Sequence, residues 1–178
     1  MLPVLLALAI IAILFFVIII GRPDEFKVVR SATIAVPPVA VFEQVNDFHK
    51  WDDWSPWAKL DPECKNTFGG APAGKGATFA WDGNKKVGAG RMAIMDGQPP
   101  HLIRINLEFL RPFKATNTTE FMFKPEGNQT IVTWNMFGKN NFMSKAFGLF
   151  VNCDNMIGKD FEKGLAQMKA EAEGASMR

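Results

Sequence analysis

Residues 2–20 form a run of nineteen without a charge, and Pro3 is the only member that is not strongly apolar. At 1.5 Å per residue in a helix, such a run nearly matches a hydrocarbon core of roughly 30 Å. It is apolar all round, with none of the polar stripe that a core helix of a soluble protein presents to water. A cleavable leader would have a basic start, a shorter apolar stretch and a small-residue exit. This chain instead passes from Phe15-Phe16-Val17-Ile18-Ile19-Ile20 straight into Gly21-Arg22-Pro23. We therefore expect an uncleaved, single-pass membrane anchor over residues 1–22 and a separate domain over residues 23–178. Arg22, Lys27 and Arg30 follow the span, whereas only the α-amino group precedes it, so the positive-inside rule puts the domain on the cytoplasmic side.

The residues after Pro23 suffice for one domain with a proper core and are too few for two of ordinary size. Alternation of apolar and polar residues predicts a first strand over 26–36, with Phe26, Val28, Ala32 and Ile34 on one face. Pro37-Pro38 stops it and opens a short helix whose apolar side carries Val39, Phe42 and Val45. The segment 48–57 contains Trp51, Trp54 and Trp57, is too aromatic for a plain solvent loop, and is expected to be a second short helix with an aromatic loop. Six further strands are predicted over 64–68, 77–81, 86–95, 102–109, 115–124 and 130–138. Asp82-Gly83-Asn84 and Glu126-Gly127-Asn128 are hairpin signals, so neighbouring strands should pair antiparallel. From Met143 to Ala172 apolar residues recur every three or four positions, which predicts a long C-terminal helix, bent near Gly148 and 152–155. The fold class is α+β: a curved antiparallel sheet wrapped on that helix, with a candidate pocket between the two.

Composition removes several functions. The formal charge is only +2, without the basic excess that nucleic-acid binding requires, and the chain has no Tyr for catalysis. Two isolated His and two isolated Cys give no metal-ligand spacing, so no metal and no cofactor are expected. Cys64 and Cys153 read as buried free thiols. Gly69-Gly70-Ala71-Pro72-Ala73-Gly74-Lys75-Gly76 nearly spells a phosphate-binding loop. However, Gly76 stands where a Ser or Thr must hold magnesium, and Thr78-Phe79-Ala80-Trp81 reads as strand rather than helix. Gly88-Ala89-Gly90 lies inside an alternating run and reads as a strand with glycines at a bend. Asn117-Thr118-Thr119 and Asn128-Gln129-Thr130 match a glycosylation acceptor, and both are taken as coincidence.

Several segments carry a resemblance: Pro37-Pro38-Val39-Ala40-Val41-Phe42 leading to Trp51-Asp52-Asp53-Trp54-Ser55-Pro56-Trp57, Gly74-Lys75-Gly76 before Phe79-Ala80-Trp81, Thr130-Ile131-Val132-Thr133-Trp134, and Gly158-Lys159-Asp160-Phe161-Glu162-Lys163-Gly164-Leu165. In this order they resemble the START-like (SRPBCC) superfamily, in its polyketide cyclase/dehydrase branch, over residues 26–172. The resemblance implies the helix-grip fold. It is nearly silent on chemistry, because the superfamily holds lipid carriers, hydrophobic-ligand binders, aromatic cyclases and chaperone-binding domains. The expected function is a membrane-anchored domain that binds a hydrophobic small molecule or lipid between sheet and helix. The alternatives are a polyketide cyclase-like enzyme acting on an aromatic or polyketide substrate, and a non-catalytic protein-interaction module at the membrane.

Phe79 and Trp81 share one strand face, as do Phe121 and Phe123, which suits an aromatic lining on the sheet's concave side. The candidate ligand-binding residues are Trp54, Trp57, Phe79, Trp81, Phe121, Phe123, Trp134, Phe150 and Asn155. If the protein is an enzyme, His49, with Asp47 nearby, and Arg91 are the candidates for proton transfer or oxyanion support. Phe147, Phe150 and Val151 bunch around Gly148 and suit core packing, an apolar gate or a membrane-touching patch.

Overall fold

A computed structural model of the chain describes residues 2–176; Met1 and Met177–Arg178, the outer limits of the two expected segments, lie outside them. The apolar run forms one helix, α1 (Leu2–Ile20), long and apolar enough to cross a membrane, and almost none of it is buried against the rest of the chain. Strand β1 (Glu25–Ile34) follows, then α2 (Pro38–Asn46), a single 3₁₀ turn (Phe48–Lys50) and the four-residue α3 (Trp51–Trp54). The strands β2 (Lys65–Gly70), β3 (Ala77–Asp82), β4 (Ala89–Gln98), β5 (Leu102–Arg111), β6 (Ala115–Glu126) and β7 (Gln129–Lys139) come next, then α4 (Phe142–Phe147) and α5 (Cys153–Ser176).

All seven strands join one antiparallel sheet in the order β1-β7-β6-β5-β4-β3-β2, a meander that is closed by the first strand pairing with the last. Its alternation sends Val28, Met92, Ile94, Ile103, Ile105, Phe121, Phe123, Val132 and Trp134 to the concave face, where they form the buried core. The meander also fixes which loops share an edge. β1, β2, β4 and β6 start, and β3, β5 and β7 end, at the edge from which α1 departs.

α5 lies on β1 and β7 and touches α2 and α3. Its buried stripe is Phe161, Leu165, Met168 and Ala172. Two glycines let it come close. A Cβ at Gly164 would stand 2.7 Å from Cζ3 of Trp134, and one at Gly158 would overlap the Arg30 guanidinium. Arg30 rises from β1 into that gap, with Nε donating to Glu162 (2.7 Å) and Nη2 to Asp154 (3.1 Å), one turn on either side of Gly158.

The structure corrects three details. The C-terminal helix is interrupted, not bent: α4 ends at Gly148, and a new helix starts after Asn152, whose Oδ1 accepts from the Asn155 amide (3.0 Å). β4 begins at Ala89 and runs on to Gln98 through an irregularity between Ile94 and Asp96. Cys64 and Cys153 are free but only half-buried. The phosphate-loop look-alike is the end of β2 and its turn into β3, with Gly70, Gly74 and Gly76 at positive φ.

Candidate functional site

The concave face carries a continuous chain of aromatic rings. Over β6 and β7 it is filled: Trp134 stacks on Phe161 (centroids 4.0 Å, 7°), leans on Phe121 (4.8 Å), and meets Trp54 (5.7 Å) and Trp57 (5.9 Å) edge-on. Trp54, Phe121, Phe123 and Trp134 are thus buried together between sheet and helix. The indole nitrogens of Trp51 and Trp54 donate to the carbonyls of Val45 and Gln44 (3.0 Å each), which occupies acceptors that the end of α2 would otherwise leave open.

Towards β3 the chain of rings thins out. Trp51 leads to Phe48, Phe48 to Phe79 (6.0 Å), and Phe79 to Phe68 (5.2 Å) and Trp81 (6.0 Å), while Trp81 meets Phe109 edge-on (6.1 Å). Phe79, Trp81 and Phe109 are only half-buried, because α5 covers the other end of the sheet. Gly90 lies opposite Trp81 in the register, and a Cβ there would overlap the indole. The Trp81 ring is further held by its nitrogen donating to the Val87 carbonyl (3.1 Å).

Sequence reasoning missed two polar residues on this face. β6 alternates inward as Asn117, Thr119, Phe121 and Phe123, all buried. Asn117 lies opposite Leu107 and Gly138, and Thr119 opposite Ile105 and Met136, so both point to the concave side. The Thr119 hydroxyl and the Trp134 indole nitrogen, diagonal neighbours across β6 and β7, are buried without a hydrogen-bond partner among the described residues. Each such group costs about 1–3 kcal/mol unless something pairs with it. The signal is the period of two itself, which puts Asn117 and Thr119 in phase with Phe121 and Phe123.

The catalytic candidates are not brought together. Asp47 and His49 do pair: Asp47 Oδ1 accepts from the His49 amide (2.9 Å) and lies 2.8 Å from Nδ1. Burial alone would raise the Asp47 carboxyl, but the His49 hydrogen bonds and the Lys50 charge hold it below the usual aspartate value. The His49 ring stacks on Phe68 (4.2 Å), beside a depression of about 180 Å³ lined by Phe48, Ala77 and the 69–72 turn. Arg91 points the other way. On the convex face its Nη2 meets Glu108 (2.7 Å), at a shallow depression of about 380 Å³ that also holds Asn106 and Thr78. Asn135 is on that outer face too, near Glu120, while Asp154 is engaged by Arg30. Phe150 (80% exposed) and Asn155 stand on the surface around the break between α4 and α5, apart from the aromatic chain. The half-buried Cys64 thiol is pushed up by burial and by Asp61, which leaves it a poor nucleophile. Among the described residues no group of three His, Cys, Asp or Glu is arranged to hold a metal.

Comparison with known proteins gives a family and a fold. The family described as polyketide cyclase / dehydrase and lipid transport matches residues 25–173. A structural-genomics protein from Chromobacterium violaceum is 13% identical, with TM-score 0.59 over 85% of this chain and 99% of its own. The di-domain ARO/CYC BexL from the BE-7585A biosynthetic pathway is 14% identical, with TM-score 0.59 over 88% of this chain and 52% of its own. The Aha1 dimer from Colwellia psychrerythraea is 13% identical, with TM-score 0.54 over 82% of this chain and 95% of its own. At these identities the likeness concerns the fold. No curated protein matches the sequence.

Proposed function

Because the chain belongs to the polyketide cyclase / dehydrase and lipid transport family, we propose that it is a membrane-anchored binding domain for a hydrophobic small molecule or lipid that carries one hydrogen-bonding head group. Residues 1–22 are the anchor, residues 23–178 are the binding domain, and the basic Arg22, Lys27 and Arg30 put that domain on the cytoplasmic side. The observation that carries the reading is the Thr119 hydroxyl, without a partner among the described residues and buried beside Asn117 in a part of the concave face lined by Ile105, Leu107, Phe121 and Met136. An apolar ligand body would lie along Leu107, Phe109, Phe79 and Trp81, with its head group answering Thr119 and Asn117. A few polar groups in an apolar concavity are the usual make-up of a small-molecule site.

Thr119→Val tests this, because valine keeps the shape and deletes the hydroxyl. In the full chain held in nanodiscs, a diazirine fatty acid should crosslink to peptides from β3, β5 and β6. The valine variant should be more stable without probe and should crosslink several-fold less. Crosslinks confined to residues 2–20, or unchanged by the valine, would overturn the proposal.

The His49–Asp47 pair beside the 180 Å³ depression favours a second reading, in which an oriented imidazole transfers a proton to a cyclising substrate. The protein-interaction module has no comparable observation behind it.

A further inference from the structure

α1 and the body of the protein are joined by residues 21–24, which even fully extended span at most roughly 14 Å. That link is strapped down. The Asn140 amide donates to the Asp24 carbonyl (2.7 Å), its side-chain nitrogen donates to the Pro23 carbonyl (3.2 Å), and Lys145 on α4 pairs with Asp24. The Gly21 and Arg22 amides still bond back to Val17 and Ile19, so the helix end itself is held in place. Most informative is Phe142, the first residue of α4, whose ring lies 5.4 Å from that of Phe16. Phe16 is four residues inside the apolar run, about 6 Å below its end along the axis. A residue of the folded body therefore reaches the depth of the span.

The surface around that contact is apolar. Met143, Phe147 and Phe150 are exposed, and none of the described residues covers them. The same sheet edge ends in the β5–β6 hairpin, where Phe113 is 71% exposed beside Lys114, and in the β3–β4 turn with Lys85 and Lys86, while Arg111 is paired with Asp82. Exposed rings next to lysines are what an interface-seeking surface needs, rings for the acyl boundary and cations for anionic head groups.

We infer that the segment 142–150 lies in the membrane interface as a second contact, with Phe147 and Phe150 entering the acyl boundary and Phe113 meeting the head groups, so that the domain sits flat on the bilayer and does not swing from its anchor. The inference rests on the reading of α1 as an anchor. The occupant is lipid because the patch is continuous with α1 and reaches into its depth; an interfacial helix buries its apolar face by about 5–10 Å, which is the depth Phe142 attains.

The test uses the full chain in nanodiscs containing anionic lipid, with Cys64 and Cys153 replaced by Ser and a fluorophore placed in turn at Leu8→Cys, Phe147→Cys, Phe150→Cys, Phe113→Cys and Glu126→Cys. Lipids carrying nitroxides deep in the chain should quench position 8, and lipids with shallow nitroxides should quench most of the emission at 147 and 150. Head-group nitroxides should quench 113, and position 126 at the opposite edge should keep its emission. Quenching at 8 without quenching at 147 and 150 overturns the inference and leaves the anchor standing. No quenching at 8 overturns both. Emission shifts at 147 and 150 without quenching mean a protein neighbour, and also overturn it. Radical footprinting of the unaltered chain gives a check free of substitutions: Met143 and Met95 are similarly exposed in the fold, yet in nanodiscs only Met143 should be protected from oxidation, and equal oxidation of the two refutes the inference.

Discussion

Gly164→Ala and Gly174→Ala make the same chemical change in the same helix and should shift stability in opposite directions. Replacing a helical glycine with alanine gains at most about 1 kcal/mol from backbone propensity. At Gly174 nothing among the described residues lies within 4 Å of the new methyl group, so that gain stands alone. At Gly164 the methyl group would be 2.7 Å from Cζ3 of Trp134 and 3.0 Å from Cδ of Pro56. The indole cannot retreat, because it is stacked on Phe161 on one side and leans on Phe121 and Trp54 on others. Forcing a methyl group into such packing costs about 1–3 kcal/mol, so the net change at 164 is a loss of up to about 2 kcal/mol. Because the propensity gain is common to both, Gly164→Ala and Gly174→Ala should then differ by roughly 1–3 kcal/mol, or about 2–12 °C in melting temperature for a domain of this size. Urea unfolding of the full chain in mild detergent, followed by tryptophan emission, reads this directly, since all five Trp lie beyond the apolar run. In a Trp134→Leu background the penalty at 164 should largely vanish, as neighbouring sites couple. Equal stabilisation by both alanines would show that α5 does not press on Trp134, and the account of how the helix grips the sheet would be wrong.

Two further outcomes follow from the His49 corner. The Asp47 carboxyl is held below its ordinary value of 3.8 in the folded chain, so its contribution to stability is complete above that pH and is lost as the pH falls through the lower folded value. Asp47→Asn should flatten the acid limb of a stability-against-pH curve below about pH 4 and leave the rest unchanged, and an unaltered limb would refute the pairing. If His49 transfers a proton, His49→Ala should abolish turnover of an aromatic polyketide while photoprobe crosslinking persists; turnover that survives the substitution removes the enzymatic reading of this pair.

Much of the fold was legible because its determinants are local. Strand alternation, the Pro37-Pro38 stop and the Gly127-Asn128 turn each act within a few residues, and together they leave little choice but a meander beneath a helix. The interruption of the C-terminal helix was half legible: Gly148 and Asn152 marked the place, but period alone could not say that the chain would stop and restart there. The site was less legible for a physical reason. Whether Trp54 or Phe121 lines a pocket or fills it depends on how far α5 leans towards the sheet, and that distance is set by the absent side chains of Gly158 and Gly164, which sequence patterns score as weakness in a helix. Arg91 is a polar residue on an apolar segment, and only the register of β4 against β5 places it on the convex face, away from the His49 corner.

If α1 is the anchor and the half-open face the ligand site, as proposed above, their relative position decides between a carrier that crosses water and a domain that serves the bilayer. The half-buried ring residues Trp81 and Phe109, together with Phe26, Asn117 and Gly138, lie near the strand ends closest to α1, as the registers of β1, β6 and β7 require. A carrier that released an acyl chain into water would lose about 0.8 kcal/mol of favourable burial for each CH₂ exposed, so it would need an enclosed cavity and a lid. A domain whose open end faced its own membrane would need neither, because the ligand would pass from acyl chains to aromatic rings at the strand ends without crossing bulk water. On this reading the filled half of the concave face, with Trp134 and Phe161 packed ring on ring, holds the fold together, and the half-open remainder is free for exchange with the bilayer.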